Sequence, residues 1–190
     1  MSPVVIDEEG GFIISGRLKE RAGEKIDLAE NVRKLLELFR VLGNQYGKFM
    51  RGDHKLIGQE KANLNQIVEE ITGILILLRF FLANEILETL SPHCINRELG
   101  YDFTMVRENY DFTIRGNISV KLFNQMKDFK SWYTGSFSDR FRKLFQDLRI
   151  SLADNRISKE EVGVLNGVID EMLNSLFIMN CKLSRFAIET

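Results

Sequence analysis

His93 and Cys94 stand side by side, a base next to a thiol that in the right geometry would be an activated nucleophile. Adjacent residues rarely give a base the reach its neighbour needs. No second histidine or cysteine stands at ligand spacing to His54 or His93, and Cys94 and Cys181 are too few and too far apart for a zinc site or a disulfide framework. Asp154, Ile157 and Glu161 are spaced like the later part of a calcium loop, as an acidic ligand, a core residue and a bidentate glutamate. The earlier ligand positions hold Ile150 and Leu152, and their first-half counterparts hold Phe49 and Arg51, which leaves half the oxygens missing. A structural turn between helices is the expected reading. No catalytic residue, cofactor-binding residue or metal ligand is assigned, and the chain reads as non-enzymatic with no cofactor.

Charge offers a different chemistry. From Arg115 to Lys159 the chain carries Arg115, Lys121, Lys127, Lys130, Arg140, Arg142, Lys143, Arg149, Arg156 and Lys159 against Asp128, Asp139, Asp147 and Asp154. Phe129, Trp132 and Tyr133 are interleaved with them. Such a stretch can neutralise phosphates and stack bases, which makes Arg140, Arg142, Lys143 and Arg149 the candidate nucleic-acid contacts. The plainer reading is the solvated face of amphipathic helices with core aromatics, and no helix-turn-helix or other reader motif accompanies the charges. A formal net charge of −1 adds no global pull toward an anionic partner.

These residues sit on a chain that repeats itself. Phe12, Ile14 and Gly16 recur as Phe112, Ile114 and Gly116, and Asp53, Glu60, Leu64, Asn65 and Glu70 recur as Asp154, Glu161, Leu165, Asn166 and Glu171. A duplicated unit predicts an internal two-fold relation. Asn65 and Asn166 then read either as a buried amide pair across that axis or as two asparagines at the edge of a helical face.

Each copy predicts two helices. Asp27 and Glu30 form a capping box ahead of Leu35, Leu38, Phe39, Leu42, Tyr46 and Phe49, and Ser136 with Asp139 precedes Phe141, Leu144, Phe145, Leu148 and Leu152. The second helices carry Leu64, Ile67, Val68, Ile71, Ile74, Leu75 and Leu78, and Leu165, Val168, Ile169, Met172, Leu176, Met179 and Leu183. Ser158 and Glu161 cap the latter, and Pro92 ends the former. Phe12–Gly16 and Phe112–Gly116 alternate like short strands, though extended coil accounts for the same letters. Tyr101-Asp-Phe-Thr104 and Tyr110-Asp-Phe-Thr113 read either as a hairpin or as a linker whose aromatics cover the core.

The helix around Ile74 to Leu82 is apolar nearly all round, so it must be enclosed, and both the other half of the chain and the same helix of a second copy are expected to cover it, the latter in a homodimer interface through Leu75, Leu78, Phe81 and Leu82. Ile71–Leu82 falls well short of the roughly twenty apolar residues that a membrane span needs. With 44% hydrophobic and 28% charged residues and two prolines, the composition fits a globular, helix-rich protein. The start Met-Ser-Pro-Val-Val-Ile-Asp-Glu-Glu lacks a secretion signal, and the two cysteines read as reduced thiols, so a cytoplasmic location is expected.

The stretch from Leu148 through Ala153-Asp-Asn-Arg-Ile-Ser-Lys-Glu-Glu161 to Ile169-Asp-Glu171 resembles the carboxy-terminal helical part of phage-encoded regulatory proteins. Those carry a leucine-rich helix, an alanine-aspartate-glycine-arginine-isoleucine-threonine type of turn and a second amphipathic helix. The resemblance implies a phage or mobile-element origin and a regulatory role. It carries over no binding residues, because a second copy stands where such regulators have a DNA-reading helix-turn-helix.

The expected architecture is an all-α helical bundle of two tandem pseudo-symmetric repeats, residues 1–95 and 96–190, packed as one domain, with short extended segments near 12–16 and 112–116. The expected function is a non-enzymatic helical interaction or regulatory protein acting as a homodimer, with a protein partner that the sequence leaves open and no membrane. The alternative is a nucleic-acid-binding regulator using residues 115–159.

Overall fold

The computed structural model describes residues 5–19, 21, 25–52, 56, 58–87, 91–125, 129–151 and 157–185. The expectation of an all-α bundle is overturned, because a five-stranded antiparallel sheet underlies the helices and the fold is mixed α/β. The strands are β1 (Val5–Ile6), β2 (Gly11–Arg17), β3 (His93–Asn96), β4 (Tyr101–Glu108) and β5 (Asp111–Ile118), in the order β1-β2-β5-β4-β3. The physical reason is a period of two. Along β4, Tyr101, Phe103, Met105 and Arg107 are buried while Asp102, Val106 and Glu108 are exposed, and β5 buries Phe112, Ile114 and Ile118. The segment with two open readings is the β4–β5 hairpin, turned at Asn109, whose φ of 54° an asparagine tolerates. The extended segments near 12–16 and 112–116 are β2 and β5.

Helix α1 (Leu28–Arg51) starts at Asp27, whose carboxylate accepts from the Glu30 amide at 2.9 Å, while Glu30 itself turns to Lys34 at 2.6 Å. Helix α2 (Gly58–Leu87) follows. After the hairpin come α3 (Val120–Gln125), α4 (Phe129–Trp132), a π-helical turn (Tyr133–Phe137), α5 (Ser138–Ser151) and α6 (Lys159–Arg185). Ser158 and Glu161 form the reciprocal capping box of α6, at 2.7 and 3.2 Å. The chain is helical continuously from Phe129 to Ser151, so the start expected at Ser136 and Asp139 lies inside it. Asp53, His54, Asp154, Asn155 and Arg156, which carry the expected interhelical turns, lie outside the described residues.

Three layers result. Phe177 of α6 packs on Phe12 and Phe103 of the sheet, and Phe80 of α2 lies under Arg107 of β4. On their other side, α2 and α6 are covered by α1, α4 and α5, and Trp132 donates to the Ser175 carbonyl at 3.0 Å. Helices so enclosed need no polar face, which is why both are apolar nearly all round. One hydrophobic core runs through both halves, and a boundary at residue 95 would fall inside β3.

In each layer the chain meets itself antiparallel at residues about one hundred apart. In the sheet Ile14 faces Ile114, with Phe12 opposite Gly116 and Gly16 opposite Phe112. In the middle layer, Arg79 meets Asp170 and Thr72 meets Asn180, so the helices cross near Leu75 and Leu176. In the outer layer Phe39 stacks on Phe141 with centroids 4.0 Å apart.

Gly116 lets Phe12 and Phe103, on the strands either side, touch with centroids 6.1 Å apart. A Cβ there would run into the Asp102 carbonyl and the Phe103 backbone. Gly116→Ala should therefore cost about 1–3 kcal/mol in urea unfolding, through strain in a packed core. Gly167→Ala, whose added methyl meets nothing within 4 Å, should gain roughly 0.5–1 kcal/mol. Equal effects at the two sites would show that the tight approach of β4 to β5 is wrong.

Candidate functional site

The apolar helix does not offer the surface expected of it. Leu75, Leu78 and Leu82 are buried within the chain, and Phe81 is half-buried against the same core. A second copy cannot reach them, because α6, α1 and the sheet already enclose α2. Helix α6, over Lys159–Leu183, is long and apolar enough to cross a membrane, but 72% of its apolar window is buried in protein, as in a core helix.

Between α2, α6 and β3 lies a buried polar centre. Arg79 donates to Asp170 through Nε at 2.7 Å and Nη2 at 3.3 Å, and both residues are 7% exposed. Burial works against the charge on Arg79, but the Asp170 carboxylate outweighs it and holds the guanidinium above its ordinary value. Burial pushes the Asp170 carboxyl up, with Arg79 pulling the other way. Burial, reinforced by Asp170, also raises the nearby Cys94 thiol, which stays protonated and a poor nucleophile. His93 cannot activate it. Successive residues of a strand point to opposite faces, so Cys94 enters the core while His93 lies on the outer face, 2.6 Å from Asp102. Sequence reasoning passed over the Arg79–Asp170 pair, although a charge inside each apolar stripe was its signal.

Asn65 and Asn166 do not meet. They lie near the amino ends of two antiparallel helices, and Asn65 donates to Glu69 at 3.1 Å within its own helix.

Two surfaces remain. The first is the outer face of the sheet, where the described residues place no helix. It exposes Ile13 (57%), Ile95 (53%) and Val106 (48%). Around them lie Arg17 with Asp111 at 3.6 Å, His93 with Asp102, and Ser15 beside Thr113. Arg115 is on this face too, away from the helices that carry the other basic residues.

The second surface is the outer helical layer. Arg142, Lys143 and Arg149 are exposed on α5, whereas Arg140 is half-buried and donates to Glu171 at 2.9 Å. Phe129 and Trp132 are buried, and Tyr133 is half-buried and stacked on Tyr46 of α1 at 4.4 Å, so the aromatics expected to stack on bases are packing groups. The basic stretch thus divides between opposite sides of the protein.

A cleft of about 440 Å³ between β2, α1 and α2 is floored by Leu18, Leu38, Ile74 and Leu77, with Lys34, Glu37 and Glu70 at its rim. Lys34 pairs with Glu30 and Glu37 with Arg33. Among the described residues, no cluster of histidine, cysteine and carboxylate side chains could hold a metal ion. Comparison with known protein families, with characterised proteins and with solved structures returns no match.

Proposed function

We propose that this chain is a non-enzymatic interaction protein that works as a homodimer, and that the copies meet through the open face of the sheet. The observation that carries the reading is the exposure of three large aliphatic side chains, Ile13, Ile95 and Val106, on one uncovered face. The three stand on β2, β3 and β4 with Arg115, Thr113, Thr104 and Asp102 between them, so the face mixes apolar and polar groups across its width, as contacts between separately folded proteins do. The charges on this face are of both signs, with Arg17 and Arg115 against Asp102, Glu108 and Asp111, which suits a self-complementary contact better than a single-sign partner. The 29 strand residues at ~3.3 Å rise and ~4.8 Å spacing give roughly 450 Å² per copy, about 900 Å² once doubled, which is the size of a weak, reversible contact.

The test is sedimentation equilibrium across a concentration series. The parent should associate to a dimer, and Ile13→Lys and Val106→Lys should be monomeric with unchanged melting temperature. Leu36→Lys, on α1, should remain dimeric. A monomeric parent, or a dimer indifferent to the sheet variants, would refute the reading.

A further inference from the structure

We infer that the outer helical layer is a binding surface for double-stranded nucleic acid, held through its phosphates by α1 and α5 together. The inference does not rest on the contact between copies.

Its basis is a juxtaposition that the linear sequence hides. Helices α1 and α5 lie antiparallel, joined by the Phe39–Phe141 and Tyr46–Tyr133 stacks, and Phe49 reaches Phe129 at the far end. Residues 28–51 carry five cationic side chains and two acidic ones, and residues 129–151 carry the same numbers. The outer layer thus has six more positive than negative charges in a chain of formal net charge −1, so the remainder is acidic. The positive charge is concentrated in this layer. Arg40, Lys48 and Arg51 on α1 and Arg142, Lys143 and Arg149 on α5 are exposed. Of these six, only Arg142 is ion-paired among the described residues, to Asp139 at 3.6 Å.

Such a layer lowers the free energy of a polyanion by releasing its counterions. The chemistry of the layer selects among polyanions. Single-stranded nucleic acid is held by stacking on open aromatic faces, and here Phe129 and Trp132 are buried and Tyr133 is spent on Tyr46. Stable attachment to a lipid surface needs apolar groups to insert beside the cations, and the apolar face of α1, with Leu35 and Leu42, is turned into the protein. A duplex asks only for cations at phosphate spacing. Helix α1, at 24 residues, is about 36 Å long, close to one duplex turn of about 34 Å. Without a reader helix or free aromatics, binding is to backbone and independent of base sequence.

The experiment is fluorescence anisotropy of a labelled mixed-sequence duplex, with the same sequence as a single strand and vesicles containing phosphatidylserine as comparison arms. Six phosphate contacts should make affinity fall about 10³-fold between 50 and 200 mM salt. Arg40→Glu/Lys48→Glu on α1 and Lys143→Glu/Arg149→Glu on α5 should each weaken duplex binding by at least about ten-fold, with circular dichroism and melting temperature unchanged. The Val106→Lys monomer should still bind, which separates this surface from the contact between copies. The inference is overturned if the duplex is not bound at 50 mM salt, if the α1 pair has no effect, or if the single strand or the vesicles are preferred.

Discussion

Replacing Asp170 with alanine is expected to destabilise the protein by about 3–5 kcal/mol, because it strands the Arg79 charge in the core. The pair joins α2 to α6 across 91 residues of chain through two charge-assisted hydrogen bonds. Forming it gains little over a well-packed apolar pair, since both groups must leave water, but breaking one side leaves an uncompensated ion. The double variant Arg79→Met/Asp170→Leu should therefore recover to within about 1 kcal/mol of the parent. Urea unfolding of the four members of the cycle measures the coupling. If Asp170→Ala cost less than about 1 kcal/mol, Arg79 would have found water and the centre could not be closed as described.

Trp132→Ala should cost a similar amount, about 3–5 kcal/mol, by opening a cavity between α4, the π-helical turn and α6. Trp132 is fully buried, stacks on Phe137 at 4.4 Å and donates to α6 at the Ser175 carbonyl. Trp132→Phe keeps most of the volume and loses the hydrogen bond, so about 1–2 kcal/mol is expected. It is the one tryptophan of the chain, and its emission reports directly. A blue-shifted native emission that iodide does not quench and that a duplex does not alter is the expected result. Quenching by nucleic acid would return Trp132 to the role of a stacking platform and contradict its place in the core.

The parts of the fold legible in sequence are those fixed by local chemistry. The Asp27 cap, the Ser158–Glu161 box and the long stripes of α2 and α6 follow from spacings of three and four. The sheet was legible only in part. The alternation along Tyr101–Glu108 is as regular as any helical stripe, yet short segments between long helices read equally well as hairpin or linker. The misplaced start of α5 has a definite cause. Ser136 and Asp139 have the spacing of a helix start ahead of Phe141, yet the π-helical turn Tyr133–Phe137 carries the helix through them without interruption. The candidate surfaces were least legible, because each joins distant residues. Arg40 and Arg142 become neighbours only through the Phe39–Phe141 stack, and Leu75 with Leu78 changes from a contact surface to an interior once α6 lies against it.

The pairing of β2 with β5 also governs when the protein can fold. β2 has only the two residues of β1 to bond with until β5 has been synthesised, about a hundred residues later. At ribosomal rates of about 5–20 residues per second, that is a delay on the order of 5–20 s with Phe12 and Ile14 on an unfinished sheet edge. Closing so long a loop is entropically unfavourable, which slows this step relative to the local contacts of the helices. A nascent chain of this design has reason to depend on chaperones until its last strand emerges.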